Sequence, residues 1–131
     1  MEKIISDNTE NKTKAILCVV LTPDKDEREV AVSLSELERL LETAGGELFA
    51  QVVQARQNPD NATYLGKGKI EEIGMLCKNN DVSLVICDDE LSPAQIKNME
   101  DALEEAAGEE FGSIRVIDRS MLILDIFALH A

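Results

Sequence analysis

Lys14 to Leu21 reads KAILCVVL, a run of strand length that is apolar almost throughout. A strand with one wet face alternates polar and apolar side chains. A strand without that alternation is buried on both faces, as in a parallel sheet sandwiched between helices. Working outward, Val82 to Cys87 (VSLVIC) and the shorter Ile114 to Ile117 (IRVI) read in the same way. Glu47 to Arg56 (ELFAQVVQAR) is also strand-like, but Gln51 and Gln54 interrupt its apolar run, which predicts a more exposed edge strand.

Helical patterns separate these strands. Ser33-Leu34-Ser35-Glu36 has the form of a capping box, preceded by a short extended piece at Val30 to Val32. It opens a predicted helix whose Leu34, Leu37, Leu40, Leu41 and Ala44 share one stripe, stopped by Gly45-Gly46. Ile70, Ile73, Leu76 and Cys77 mark a second helix ending near Asn79-Asn80. Ser92-Pro93-Ala94-Gln95 starts a third, with Ser92 as N-cap and Pro93 at the first helical position, and Gly108 stops it. Asp118 caps a fourth that runs from Arg119 to the end.

Strands alternating with helices in this way predict a small α/β domain. Its open, mostly parallel four-stranded sheet has order 2-1-3-4 and helices on both faces. Residues 1–13 are polar and read as a disordered tail; residues 14–131 form the single domain. Met121, Leu122, Ile123, Leu124, Ile126, Phe127 and Leu129 make the last helix apolar nearly all round. A helix like that expects cover on more than one face. Self-association through it, fraying of its last turn, or continuation toward a further domain are the expectations.

Composition sets limits on function. The 131 residues suit one core, and with 3% aromatics and no Trp that core is aliphatic. A formal net charge of −13 repels nucleic acid and anionic membrane, so the isolated chain is no general RNA binder. Cys18, Cys77 and Cys87 are odd in number, form no C-x-x-C pair and sit in apolar contexts, and so read as buried free thiols. With one histidine, His130, no Ser/His/Asp or Cys/His set can be built, and no catalytic or metal-ligating residue is assigned. No apolar span reaches transmembrane length and no signal pattern is visible, which predicts a cytoplasmic protein.

Two candidate sites emerge. From Arg56 to Lys69 three basic residues (Arg56, Lys67, Lys69) face one acid (Asp60), the only basic window of an acidic chain. Gly66-Lys67-Gly68-Lys69 at a helix start offers free N–H groups, a helix dipole and two ammonium groups to an anion. It is not a Walker A loop: Thr63 stands where that motif needs its first glycine, and Ile70 follows the lysine in place of Ser or Thr. The residues alone leave open a phosphate cradle and a glycine-eased turn with solvated lysines. Tyr64, the only tyrosine, either stacks on a base or packs under the loop with its hydroxyl in water. Asp88 and Asp89 follow a buried strand, where ligands of open α/β sheets bind. They are weak candidates for Mg²⁺ or for a receiver-like phosphoacceptor, although Arg119 is a poor match for the basic partner of such a site. The acids from Glu100 to Glu110 read as a solvated helix face.

Three stretches together resemble the N-terminal domain of HflX-type ribosome-associated GTPases. They are Asn58 to Ile73 (NPDNATYLGKGKIEEI), Leu84 to Gln95 (LVICDDELSPAQ) and Val116 to Ala131 (VIDRSMLILDIFALHA). Weaker similarity runs back through Leu34 to Arg56, and His130 stands where the family usually has a basic residue. The resemblance implies a non-catalytic docking domain that binds the large ribosomal subunit and its rRNA in ribosome splitting or rescue. Arg56, Tyr64, Gly66, Lys67, Gly68 and Lys69 are the candidate contacts. It also implies that GTP and Mg²⁺ belong to a GTPase domain which, with its helical linker, lies outside these 131 residues and packs against them. The alternatives are a receiver-like domain using Asp88 or Asp89, and an independent ATP-binding module at the GKGK loop.

Overall fold

A computed structural model of the protein describes residues 3–5 and 11–129, with the side chain of residue 129 excepted. The elements follow in the order β1 (Thr13–Leu21), α1 (Glu27–Thr43), β2 (Gly46–Ala55), α2 (Lys67–Asn80), β3 (Leu84–Cys87), α3 (Pro93–Ala107), β4 (Arg115–Asp118) and α4 (Arg119–Leu129). All strand pairs are parallel and the sheet order is β2-β1-β3-β4, as the sequence pattern predicts.

β1 is the centre of this arrangement. Ala15, Leu17 and Val19 point into the core under α1 and α4, where Leu34, Leu37, Leu41 and Leu122 meet them. Ile16, Cys18 and Val20 point the other way, toward Ile73 and Cys77 of α2 and Met99 and Leu103 of α3. On the edge strand β2 the side-chain phase changes once. The pairing shifts between Ala15 and Ile16, so that Ala15 faces Leu48 while Ile16 faces Ala50. Leu48 consequently packs on the α1 side, whereas Ala50 and Val52 pack on the α2 side.

Helix α1 starts about two turns earlier than its sequence signal. Asp26 is the N-cap and accepts from the Arg28 N–H at 2.7 Å, with Glu27 and Glu29 in the first turn where the helix dipole favours acids. Val30 is the first member of the buried stripe, not part of an extended piece, because Val30, Leu34, Leu37 and Leu41 continue one helical period backward. The Ser33–Glu36 box therefore does not form. The box at α3 does: Ser92 Oγ accepts from the Gln95 N–H and Gln95 Oε1 accepts from the Ser92 N–H, both at 3.0 Å. Gly108 ends that helix at φ +94°. Gly46 opens β2 tightly against α1, since a Cβ there would sit 2.4 Å from Leu41 Cδ1.

Helix α4 is less uniformly placed than its composition suggests. Asp118 caps it, accepting the Met121 N–H at 3.0 Å. Leu122 and Asp125 are buried, while Ile123, Leu124 and Phe127 are exposed, Phe127 by 65%. Asp125 holds part of the segment expected to be a free tail. Its carboxylate pairs with Lys3 Nζ at 3.2 Å and accepts the N–H groups of Ile4 and Ile5, and the Ile5 side chain is fully buried. The end of the last helix beyond residue 129, where fraying was expected, lies outside the described residues.

The second edge strand, β4, is also finished by side chains. Its outward N–H groups at Ile114 and Val116 donate to Glu104 Oε2 (3.1 Å) and Glu100 Oε2 (3.0 Å). Two acids expected on a merely solvated helix face thus serve as acceptors for a strand edge.

Candidate phosphate-binding face and the sheet rim

The loop from Gln57 to Leu65 carries the chain from the end of β2 to the start of α2, and its own side chains fix its shape. Asp60 accepts the N–H groups of Ala62 (2.8 Å) and Thr63 (3.0 Å), and these donors hold its carboxyl below the usual carboxylate range. Asp60 and Tyr64 exchange backbone bonds of 2.9 Å in each direction. From α3, Gln95 donates to the Asp60 carbonyl and Asn98 to that of Ala62, each at 3.0 Å. Tyr64 closes the loop at φ +62°.

Tyr64 takes the packing role of its two expected ones, but not with a solvated hydroxyl. The ring is 2% exposed, so no base can stack on it, and the hydroxyl is not in water. The hydroxyl accepts the Val20 N–H at the end of β1 and donates to Asp89. Burial, then the Asp89 contact, push its ionisation far above the ordinary range.

Gly66 departs from expectation too. It is the N-cap of α2 at φ −69°, ordinary extended backbone, so no left-handed conformation requires glycine there. Crowding does. An added Cβ would lie 2.5 Å from an Arg56 guanidinium nitrogen and 3.0 Å from Gln54 Nε2. Gln54 Oε1 accepts the Gly66 N–H at 2.8 Å, and Arg56 Nε donates to the Asn58 carbonyl at 3.0 Å. Arg56 is thereby laid across the start of α2. No side chain caps this helix, and Lys67 and Gly68 are exposed on its first turn. Lys69 is drawn away into an ion pair with Glu72 at 2.9 Å. Of the six candidates, then, the fold gathers Arg56, Gly66, Lys67 and Gly68, turns Lys69 partly aside and buries Tyr64.

The carboxyl ends of β1 and β3 form a separate rim. Asp88 Oδ1 is held by Arg119 at 2.6 Å, its Oδ2 accepts from Ser33 Oγ at 2.6 Å, and its side chain is 6% exposed. Arg119, a poor partner on sequence grounds, is in fact bound to Asp88. Asp89 pairs with Lys25 at 3.2 Å and accepts from Tyr64. A polar cleft of about 380 Å³ beside it is lined by Thr22, Lys25, Asn58, Tyr64, Asp89 and Gln95. Sequence reasoning missed Lys25, Ser33 and Gln54. Lys25 and Ser33 lie 64 and 55 residues from Asp89 and Asp88, Ser33 read instead as a helix cap, and Gln54 read only as a mark of an edge strand. All three cysteines are buried and free, with Cys18 and Cys87 Sγ atoms 3.1 Å apart across β1 and β3. Among the described residues no helix is long and apolar enough to cross a membrane.

An open parallel α/β domain with an uncapped, basic helix start beside a rigid loop is the class this geometry defines. The chain belongs to the GTP-binding GTPase N-terminal family, whose model matches residues 31–128. GTPase HflX of Lacrimispora saccharolytica is 45% identical over 93% of this chain and 26% of its own length. GTPase HflX of Caldanaerobacter subterraneus subsp. tengcongensis is 40% identical over the whole chain and 27% of its own length. The chain thus spans about a quarter of the curated relatives it matches. Among solved structures, a crystal structure of an SsGBP variant superposes with a TM-score of 0.57 at 26% identity, over 91% of this chain and 33% of that one. A GTP-binding protein from the archaeon Sulfolobus solfataricus in complex with GDP gives a TM-score of 0.56 at 24% identity, over 91% and 31%, a likeness of fold alone.

Proposed function

We propose that this chain is the non-catalytic docking domain of an HflX-type GTP-binding protein. It contacts rRNA phosphates on the large ribosomal subunit in ribosome splitting or rescue, in the cytoplasm. The observation that carries the reading is the start of α2. Its first N–H groups have no side-chain cap, Lys67 is exposed beside them, and the Arg56 guanidinium lies against Gly66. In a chain of net charge −13 this is where an anion is attracted. A contact of so few cations is weak alone and useful when other parts of the protein also bind.

GTP and Mg²⁺ have no role in this chain on that reading. The GKGK turn lacks the first glycine and the hydroxyl residue that a phosphate-binding loop needs, so hydrolysis is assigned to the parts of the relatives beyond this quarter. The exposed Ile123, Leu124 and Phe127 of α4 are the surface those parts cover. The receiver-like alternative finds Asp88 buried and bound to Arg119, and Asp89 bound to Lys25.

The test is ribosome binding by a full-length protein carrying this domain, with Arg56→Glu and Lys67→Glu together. We expect large-subunit affinity to fall about ten-fold or more, with a shallower salt dependence, as two phosphate contacts are lost. Unchanged affinity and salt slope in a folded variant would overturn the reading.

A further inference from the structure

Gly74 lets α2 and α3 cross at close range, since a Cβ there would lie 2.6 Å from Ala106 Cβ and 3.0 Å from the Leu103 carbonyl. The solvent side of this crossing is left unfilled. A groove of about 810 Å³ runs along it, more than twice the volume of the cleft beside Asp89. Lys67, Glu71 and Met75, spaced four apart on α2, form one wall as a single ridge. Ala102, Glu105 and Ala106 of α3 form the other, and the two alanines are too short to close the seam. From Lys67 to Met75 the groove is about 12 Å long, a little over two helical turns. Its lining is apolar at Ile70, Met75, Ala102 and Ala106, and Met75 is 44% exposed. At its edge Asp60, Glu71 and Glu105 outnumber Lys67. Other acids of α3 are already engaged, Glu100 and Glu104 on β4 and Asp101 on Lys97. Among the described residues Glu71 and Glu105 have no ion pair.

We infer that this groove docks a basic amphipathic helix of a partner protein. Charge selects the partner's sign: unpaired carboxylates on both walls attract cations and repel nucleic acid and a second copy of this chain, whose net charge is −13. Backbone chemistry selects a helix. The amides of α2 and α3 are spent within their own helices, so an extended segment laid here would leave its amides unpaired over an apolar floor. A helix brings its own hydrogen bonds and sets apolar residues at i, i+3, i+4 and i+7 into a seam of this length. Met75 suits such a surface, because its flexible thioether adapts to the side chain it meets. The groove also lies on the sheet face opposite α1 and α4, away from the exposed Ile123, Leu124 and Phe127 assigned above to the rest of the parent protein. Lys67 borders both this groove and the phosphate-binding face, and the experiment therefore leaves it unchanged.

The probe is a synthetic amphipathic helix of about 18 residues, with leucines on one stripe and lysines elsewhere, titrated into this chain at about 0.15 M salt. A Kd on the order of 10⁻⁵ M is expected, and the same peptide with glutamate for lysine should bind about ten-fold or more weakly. Methyl NMR should show shifts at Ile70, Met75, Ala102 and Ala106, with Ile123 and Leu124 of α4 unmoved. Glu71→Lys with Glu105→Lys should weaken binding about ten-fold or more. Glu42→Lys with Glu47→Lys, an equal change of charge away from the groove, should stay within about two-fold. Met75→Ala should weaken binding about three-fold or more. Circular dichroism establishes that each variant is folded; should the Glu71–Glu105 pair of changes unfold the chain, Met75→Ala decides. Binding indifferent to the groove changes, an equal loss in the Glu42–Glu47 control, or methyl shifts confined to α4 overturns the inference. So does a Met75 methyl that shifts with protein concentration alone, which would give the groove to a second copy.

Discussion

The Tyr64 hydroxyl bridges two strands, accepting the Val20 N–H at 2.9 Å at the end of β1 and donating to Asp89 just past β3. One atom thereby ties the loop before α2 to the sheet rim. Tyr64→Phe keeps the ring and leaves a buried N–H unpaired, so it should cost about 1–3 kcal/mol in urea unfolding. A base-stacking tyrosine would behave otherwise, with the Phe variant as stable as the parent.

Two glycines of α2 should respond oppositely to alanine. At Gly74 an added Cβ would lie 2.6 Å from Ala106 Cβ and 3.0 Å from the Leu103 carbonyl, so Gly74→Ala forces α2 from α3 and should destabilise by about 1–3 kcal/mol. At Gly68 nothing lies within 4 Å, so Gly68→Ala should be neutral or stabilise by up to about 1 kcal/mol. Thermal melts of the pair would show the contrast.

Asp125 is 1% exposed and binds Lys3, Ile4 and Ile5. Asp125→Ala should therefore destabilise by about 1.5–3 kcal/mol. Hydrogen exchange at Ile4 and Ile5 should rise with it. Unchanged protection there would show that the segment is held by other contacts.

Stability should fall above neutral pH. Burial pushes the Cys77 thiol from 9.0 up to about 11, and raises Cys87 and Tyr64 as well. These groups keep their protons when folded, while the unfolded chain releases the thiols near pH 9 and the tyrosine near pH 10. Their stabilisation is intact below the first of these and lost as pH rises through 9 toward 11. Each such group contributes a slope of up to about 1.4 kcal/mol per pH unit in that window. Cys77→Ala should remove one group's share from the slope of unfolding free energy against pH.

Isolated, the domain should bind unstructured RNA no more tightly than about 10⁻⁴ M at physiological salt, since few phosphates can be neutralised. Submicromolar binding in a filter assay would contradict the charge argument.

Much of the fold was legible because β1, β3 and β4 are apolar runs with no other use than burial, and strand order follows from right-handed crossovers. Edge placement of β2 was legible from Gln51 and Gln54. The start of α1 was obscured by two competing caps, Asp26 and Ser33, and only the buried Val30 decides between them. Tyr64 misled because its loop is polar, while its partners Val20 and Asp89 lie 44 and 25 residues away. Arg56 and the GKGK turn were recognisable as basic; Lys69's pairing with Glu72 is a local contact three residues along the same helix, whereas the Gln54 bond to Gly66 depends on how β2 and α2 meet. Asp125 gave no sign at all, since one acid in an apolar helix reads as its solvent side.

Glu100 and Glu104 stand one helical turn apart, about 6 Å along α3. Ile114 and Val116 stand two residues apart on an extended chain, about 6.6 Å. The two repeats nearly coincide, so a row of carboxylates on a helix can meet every second amide of a strand and impersonate the missing neighbour. Acidity in this chain is then partly architectural: replacing those two side chains by apolar ones would leave the amides of Ile114 and Val116 free to take another strand.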